Sequence, residues 1–339
     1  MSNQDITMKS SPFIQSQKTV IIRATRSIIW AATALVAWLS TVPATAADAN
    51  QTNPPAPVVI HIGIAPGTWS GVNPNDGKAA ISVWAKTILE QSQINAAVDT
   101  QLFETPEEMH QALKNGSIDA VSMLTDQFLT LDPELQPAEV FLATKDHLMT
   151  EQYVLLVQCD GGINQVAGLA GRKLVLEANA RTSLASQWLD VLLARSSLGP
   201  AEQVLGTMTK IESPSKAVLQ VFFHQADACL VTSNVFDLAC ELNPQLRKEL
   251  RVLAVSPEVI PSLFFFRPGY TASVRKQMEP AILKLGESPA GLQVLTVFQS
   301  DGMLKRPVAI LESSRQLLAE YARSVHGPAA NGQLSHLKP

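Results

Sequence analysis

The sequence predicts an α/β protein of two lobes, each a mixed sheet flanked by helices, joined by a two-strand hinge. Three observations predict it. Strand-like and helix-like segments alternate from Val58 to Gln158, the alternation restarts at Lys173, and the chain leaves the first half near Tyr153 to return near Val255–Ser262. A length of 339 residues suits two domains of about 150 residues each. Two crossings make a hinge and leave a cleft between the halves. In such sheets ligands sit beyond the carboxyl ends of the strands.

Each element follows from local chemistry. Val58 to Ile64 is an apolar run with strand character, turned by Pro66-Gly67. Asp76 is placed to cap a helix whose stripe is Ala79, Ala80, Val83, Trp84, Thr87 and Ile88. Ala97 to Phe103 alternates as a strand. Thr105-Pro106-Glu107-Glu108 then combines a cap, a first-turn proline and a capping-box glutamate, and Gly116 ends the helix. Ile118 to Met123, Val140 to Thr144 and Tyr153 to Gln158 are further strands, with a short helix expected over Asp126–Leu131. In the second half, strands are expected at Lys173–Glu177, Val204–Ile211, Asp227–Val231, Arg251–Val255 and Leu263–Phe266. Thr182 or Ser183, Ser213-Pro214 and Val235 begin the intervening helices. Thr271–Gly286, Pro289–Gln299 and Val308–Ser324 read as helices without strands between them, wrapping the first lobe. Lobe 1 is thus 58–153 with 256–326, lobe 2 is 154–255, and 327–339 is a frayed end.

The N-terminus reads differently. Lys9, Lys18, Arg23 and Arg26 precede an apolar run from Ile28 to Val42, and Ala44-Thr45-Ala46 follows Pro43. Residues 1–46 therefore read as a secretory signal peptide, with a run short for a membrane span. An uncleaved anchor is the alternative. Residues 47–57 are a polar, proline-rich tether. The whole chain carries −4; without the +3 of residues 1–46 the remainder carries −7. That balance argues against a nucleic-acid partner but not against an anion in a buried site, which sets its own potential.

Export makes disulfides possible. With Cys159, Cys229 and Cys240, at least one thiol stays free. Either Cys229 pairs with Cys240, or all three are buried thiols packed as small hydrophobes. No Cys/His cluster has zinc spacing and no cofactor is implied. His61, His110, His147, His224, His326 and His336 sit in no hydrolase or metalloprotease frame, so no catalytic residue is expected.

Ser122, Met123 and Thr125 follow a buried strand, where a ligand loop belongs, or else they begin the next helix. Thr68 and Trp69, after the first strand, form the opposite wall, or Trp69 seals the core.

Four stretches carry a family resemblance. They are Phe103 to Ala120 (Phe-Glu-Thr-Pro-Glu-Glu through Gly-Ser-Ile-Asp-Ala), Leu169-Ala170-Gly171-Arg172-Lys173-Leu174-Val175, Ala217-Val218 with Gln225-Ala226-Asp227-Ala228, and Leu253 to Pro261. In this order they resemble the periplasmic substrate-binding proteins of ABC transporters, of the phosphate/phosphite/phosphonate type. The resemblance spans about residue 57 to residue 300. It implies the type II periplasmic-binding-protein fold, a periplasmic location, a small anionic ligand and an ABC permease as partner. A membrane sensor protein is the alternative partner.

The family's anion site has a Ser-Thr-Ser-Gly run at a helix N-terminus, and the matching stretch here is Arg181-Thr182-Ser183-Leu184. The first Ser is replaced by Arg and the Gly by Leu. The resemblance implies that backbone N–H groups there, with the Thr182 and Ser183 hydroxyls and Arg181, hold an oxyanion. It further implies that Asp227 meets a ligand amine, unless Asp227 is a strand-edge turn residue.

Overall fold

The computed structural model describes residues 58–68 and 73–326. The proposed signal peptide, the tether, Trp69 and the tail at 327–339 lie outside the described residues. Among the described residues no helix is long and apolar enough to cross a membrane.

The first half runs β1 (Val58–Ile64), α1 (Pro74–Gln91), β2 (Ala96–Leu102), α2 (Pro106–Asn115), β3 (Ala120–Leu124), α3 (Thr125–Leu129) and β4 (Glu139–Thr144). Local chemistry sets these boundaries. Asn73, not Asp76, caps α1, its side chain accepting from the Asn75 amide with Pro74 at the first position. Thr105 Oγ1 accepts from the Glu108 amide at 3.2 Å, while the Glu108 carboxylate takes the amide of Glu104 rather than that of Thr105. Gly116 ends α2 at φ 74°, a left-handed conformation that costs a glycine nothing sterically.

The second half runs β5 (Tyr153–Gln158), β6 (Lys173–Glu177), α4 (Ala185–Arg195), α5 (Ala201–Val204), β7 (Thr207–Ile211), α6 (Pro214–Phe222), β8 (Ala228–Thr232), α7 (Ser233–Leu242), α8 (Gln245–Glu249) and β9 (Leu250–Val255). The expected strand over Val204–Ile211 is shorter, because Pro200 opens a helical turn ahead of it. The chain then returns through β10 (Ser262–Phe266), α9 (Ser273–Leu283), α10 (Pro289–Val297), β11 (Gly302–Pro307) and α11 (Glu312–His326).

Two sheets result. The first has the order β11-β4-β10-β3-β1-β2 and the second β7-β6-β8-β5-β9. β2, β1 and β3 are parallel, and so are β7, β6 and β8; the remaining pairings are antiparallel. Each sheet buries both faces. In the first, Ile60, Ile62, Ile64, Phe264 and Phe266 meet α1, α9 and α10, while Val121, Met123 and Phe265 meet α2 and α3. In the second, Leu155, Leu174 and Leu230 meet α4, while Leu156, Val175 and Val231 meet α6 and α7. Strands covered on both sides need nearly continuous apolar sequence, as Tyr153–Val157 and Ala228–Val231 have.

The crossings between the sheets pair with each other. Glu151 and Val259 exchange backbone hydrogen bonds at 2.7 and 2.8 Å, and the Tyr153 amide donates to Ser256 Oγ at 2.8 Å. The neck is therefore two antiparallel strands.

Two expectations about the tail are corrected. Gly302–Pro307 is an edge strand paired with β4 along its full length, not a linker between helices. The last helix, α11, is not confined to the first lobe, although Leu318 reaches the first-lobe core. It packs chiefly on α4 of the second half, where Leu317 is buried with Trp188, Leu189 and Leu193. A bidentate pair from Arg195 to Glu320, both bonds 2.7 Å, marks the same contact at the surface. The cysteines also differ from the alternatives above: Cys229 and Cys240 are buried free thiols, but Cys159 is exposed.

Apolar burial, not the exposed Arg195–Glu320 pair, carries the α11 contact, since surface pairs contribute about 1 kcal/mol or less. Leu317, 4% exposed, is its anchor. Leu317→Ala is expected to cost about 2–4 kcal/mol in urea unfolding. Glu320→Ala is expected to cost under about 1 kcal/mol. Equal losses would contradict this ranking.

Candidate functional site

The candidate site is a cavity of about 220 Å³ between the first sheet and the loop that follows β6. The turn after β1 brings Thr68 to the cavity, and the middle of β3 brings Ser122. β10 runs antiparallel to β3, with Phe264 opposite Ser122. Ser262, two residues from Phe264, therefore shares the face of Ser122. From α1, Ile81 and Trp84 cover this face, and from the end of α10, Leu295 and Phe298. Phe141 of β4 completes the apolar wall.

The opposite side is polar and comes from the second half. β6 ends at the buried Glu177, and a tight turn over Ala180–Thr182 follows. Asn179 sets this turn. Its side-chain oxygen accepts from the amides of Arg181 at 2.9 Å and Thr182 at 3.2 Å. Its side-chain nitrogen donates to Glu177 Oε1 at 2.7 Å. Thr182 Oγ1 accepts from the Asn179 amide at 3.0 Å and donates to the Glu177 carbonyl at 2.7 Å. The Tyr153 hydroxyl donates to the Arg181 carbonyl at 2.9 Å. Burial pushes that phenol well above its ordinary pKa, so it remains a donor.

This network aims the Arg181 side chain across the cavity mouth. Its guanidinium is paired with the Glu151 carboxylate of the neck and donates to the Gln299 carbonyl of the first half at 2.6 Å. Arg181, Glu151, Asn179 and Gln299 all line the cavity.

Of the residues singled out in the sequence, the structure brings together Thr68, Ser122 and Arg181. The others are placed elsewhere. Met123 alternates to the far face of β3 and is 1% exposed. Thr125 is fully buried at the start of α3, its hydroxyl without a hydrogen-bond partner. The expected helix tip at Thr182–Ser183 is a 3₁₀ turn, and α4 begins only at Ala185. Thr182 is 5% exposed with its hydroxyl bonded within the turn, and Ser183 Oγ donates to the Pro261 carbonyl of the neck at 3.1 Å. Asp227 stands at the amino end of β8, away from Thr232 and the turn. There it accepts from the Lys173 amide at 2.8 Å and pairs with Arg172, a strand-edge role.

Sequence reasoning missed Asn179, Glu151, Ser262 and the apolar wall. Asn179 has a readable signal, a capping residue three before a threonine. Glu151 and Ser262 have none, because only the neck and the β3–β10 register place them.

Glu177 gives a pH-dependent prediction. Burial raises its carboxyl above the ordinary 4.5, partly offset by hydrogen bonds from Asn179 and the Thr232 amide. The folded state then holds the proton more tightly than the unfolded one. This group's contribution to stability therefore falls as pH rises from 4.5 through the raised value. Glu177→Gln removes that slope. Its stability relative to the parent is expected to improve between pH 4.5 and 7, read by urea unfolding across pH. Parallel profiles would contradict the raised carboxyl, whatever constant offset the lost hydrogen bond leaves.

Known proteins share this architecture. A binding-protein component of an ABC phosphonate transporter from Pseudomonas aeruginosa aligns with TM-score 0.54 and 14% identity, covering 83% of this chain and 94% of that one. A Xanthomonas citri protein solved bound to ATP aligns with TM-score 0.56 and 16% identity, over 78% and 98%. Prochlorococcus marinus PhnD1, in complex with methylphosphonate, aligns with TM-score 0.52 and 15% identity, over 79% and 98%. These identities speak to the two-lobed fold alone. No curated protein matches the sequence significantly. The sequence model for the phosphonate ABC transporter periplasmic substrate-binding protein matches residues 70–305, well over half of the chain. The chain belongs to that family of periplasmic substrate-binding proteins, which are transport components and not enzymes.

Proposed function

We propose that the protein captures a small phosphonate-like oxyanion between its lobes, with Ser122, Ser262 and Arg181 around the anion and Thr68, its hydroxyl donated to the Ala65 carbonyl, beside them, and delivers it to an ABC permease. The observation that carries this reading is the position of Arg181. One lobe projects a guanidinium at the strand ends of the other, in a chain whose family is defined by phosphonate transport. Guanidinium and hydroxyl donors suit tetrahedral oxygens, and charge-assisted bonds are about twice as strong as neutral ones. The signal peptide read at residues 1–46 accounts for delivery to the periplasm. The family is one of transporter components, which favours a permease over a sensor protein as the partner.

An anion entering the cleft competes with Glu151 and the Gln299 carbonyl for Arg181. That competition gives two opposite expectations. Arg181→Ala removes the cation and leaves Glu151, 12% exposed, as an unpaired repelling charge. It is expected to weaken methylphosphonate binding at least about tenfold, or about 1.4 kcal/mol. Glu151→Gln releases the guanidinium and is expected to tighten binding. Calorimetry reads both. Methylphosphonate at about 100 times its dissociation constant also stabilises the protein by about 2.7 kcal/mol in chemical unfolding. No stabilisation by any phosphonate or by phosphate, or an unchanged affinity in both variants, would overturn the reading.

A further inference from the structure

The cavity's wall chemistry says more about the ligand than its family does. Its deep side is made of Trp84, Phe141, Phe264, Leu295 and Phe298. The first four are 1–6% exposed, and Trp84 and Phe141 each contact the Phe264 ring, at centroid distances of 5.3 and 6.0 Å. This wall is rigid core that continues to the cavity surface. The polar side offers little that is uncommitted. The turn amides of Arg181 and Thr182 are held by Asn179, and the Thr182 and Ser183 hydroxyls by backbone carbonyls. Arg181, the cationic side chain among the lining residues, is already paired with Glu151. Among the described residues only the Ser122 and Ser262 hydroxyls face the cavity without a protein hydrogen-bond partner.

Such a cavity suits a bare oxyanion poorly. A dianion there would lose its hydration in exchange for one shared guanidinium and two hydroxyls, and burial of an under-compensated charge is costly. An apolar body against the aromatic wall gains from every methylene it buries.

We propose that the ligand is an organic anion with an apolar body, a short alkyl chain or an aryl ring, seated against Trp84, Phe141 and Phe264 with its head group at Ser122, Ser262 and Arg181. This rests on the anion-capture reading above and adds the substrate class to it. Discrimination among ligands then comes mainly from the carbon skeleton. In an apolar pocket each added methylene changes affinity by about tenfold or more.

The test is calorimetry of the purified protein with methylphosphonate, hexylphosphonate and 1-hexanol. Hexylphosphonate is expected to bind at least about a hundredfold more tightly than methylphosphonate. In Ala143→Phe the two phosphonates are expected to bind within a few-fold of each other. Ala143 is an exposed cavity residue on β4, where an aromatic side chain suits the strand; a thermal melt checks that the variant folds. Equal binding of the two phosphonates by the parent protein would overturn the apolar-body proposal and leave anion capture standing. Equal binding of hexanol and hexylphosphonate would support the apolar seat and overturn anion capture. Binding of none of the three overturns both.

Discussion

Glu151 stands where the two crossings of the neck meet, and both its backbone and its side chain act between the lobes. Its amide and carbonyl pair with Val259, which makes the neck a two-stranded ribbon instead of two independent tethers. Its carboxylate holds Arg181, which reaches on to the Gln299 carbonyl of the first half. Two crossings paired in this way are the kind of connection about which hinge closure of two lobes takes place. The same residue thus touches both the neck and the arginine that lines the cavity. Asn234 adds a second link, donating to Asp146 at 2.9 Å.

The second constraint is local. Asparagine is among the strongest capping residues, and its hydrogen bonds form within a few residues of chain. At the end of β6, Asn179 satisfies the amides that the family's anion run leaves for a ligand, and Thr182 closes the turn from the other side. An anion must cross from water to reach such amides, whereas Asn179 is always present. Each such bond is worth about 1 kcal/mol net, and together they hold Arg181 in one backbone conformation. The turn thus positions a side chain where the sequence suggested that it would bind through its own amides.

This contrast marks what could be read from the sequence. The fold was legible because its signals are local or periodic. Thr105-Pro106 with Gly116 brackets α2, and the apolar run at Tyr153–Val157 announces a strand buried on both faces. The missed elements lack such signals. Gly302–Pro307 has intermediate burial at nearly every position and ends in proline, so neither alternation nor a continuous apolar run identifies it as a strand. The face of α11 that carries Leu317, Leu318 and Tyr321 reads as amphipathic in sequence, but nothing local tells which lobe it covers. The site was legible at Thr68 and Arg181, which follow strand ends, and at Ser122, within a strand that the sequence marks as buried. It was not legible at Glu151, Ser262 or the Trp84–Phe264 wall, which residues far apart in the chain create through the neck, the β3–β10 register and the packing of α1.

The two lobes therefore contribute unlike things to one cleft. The first supplies shape: an aromatic and aliphatic wall fixed by its own core, with two hydroxyls on adjacent strands of one sheet. The second supplies a single charge on a locked turn, already balanced by the neck. Shape set by a packed core tolerates little change without loss of stability, whereas the partly buried Arg181–Glu151 pair rests on side-chain contacts alone. On the proposed reading, selectivity resides in the wall of the first lobe, and closure in the exchange of partners at Arg181. On that reading the ligand's carbon skeleton is set by α1, β4, β10 and α10, apart from the turn over Ala180–Thr182 that carries Arg181.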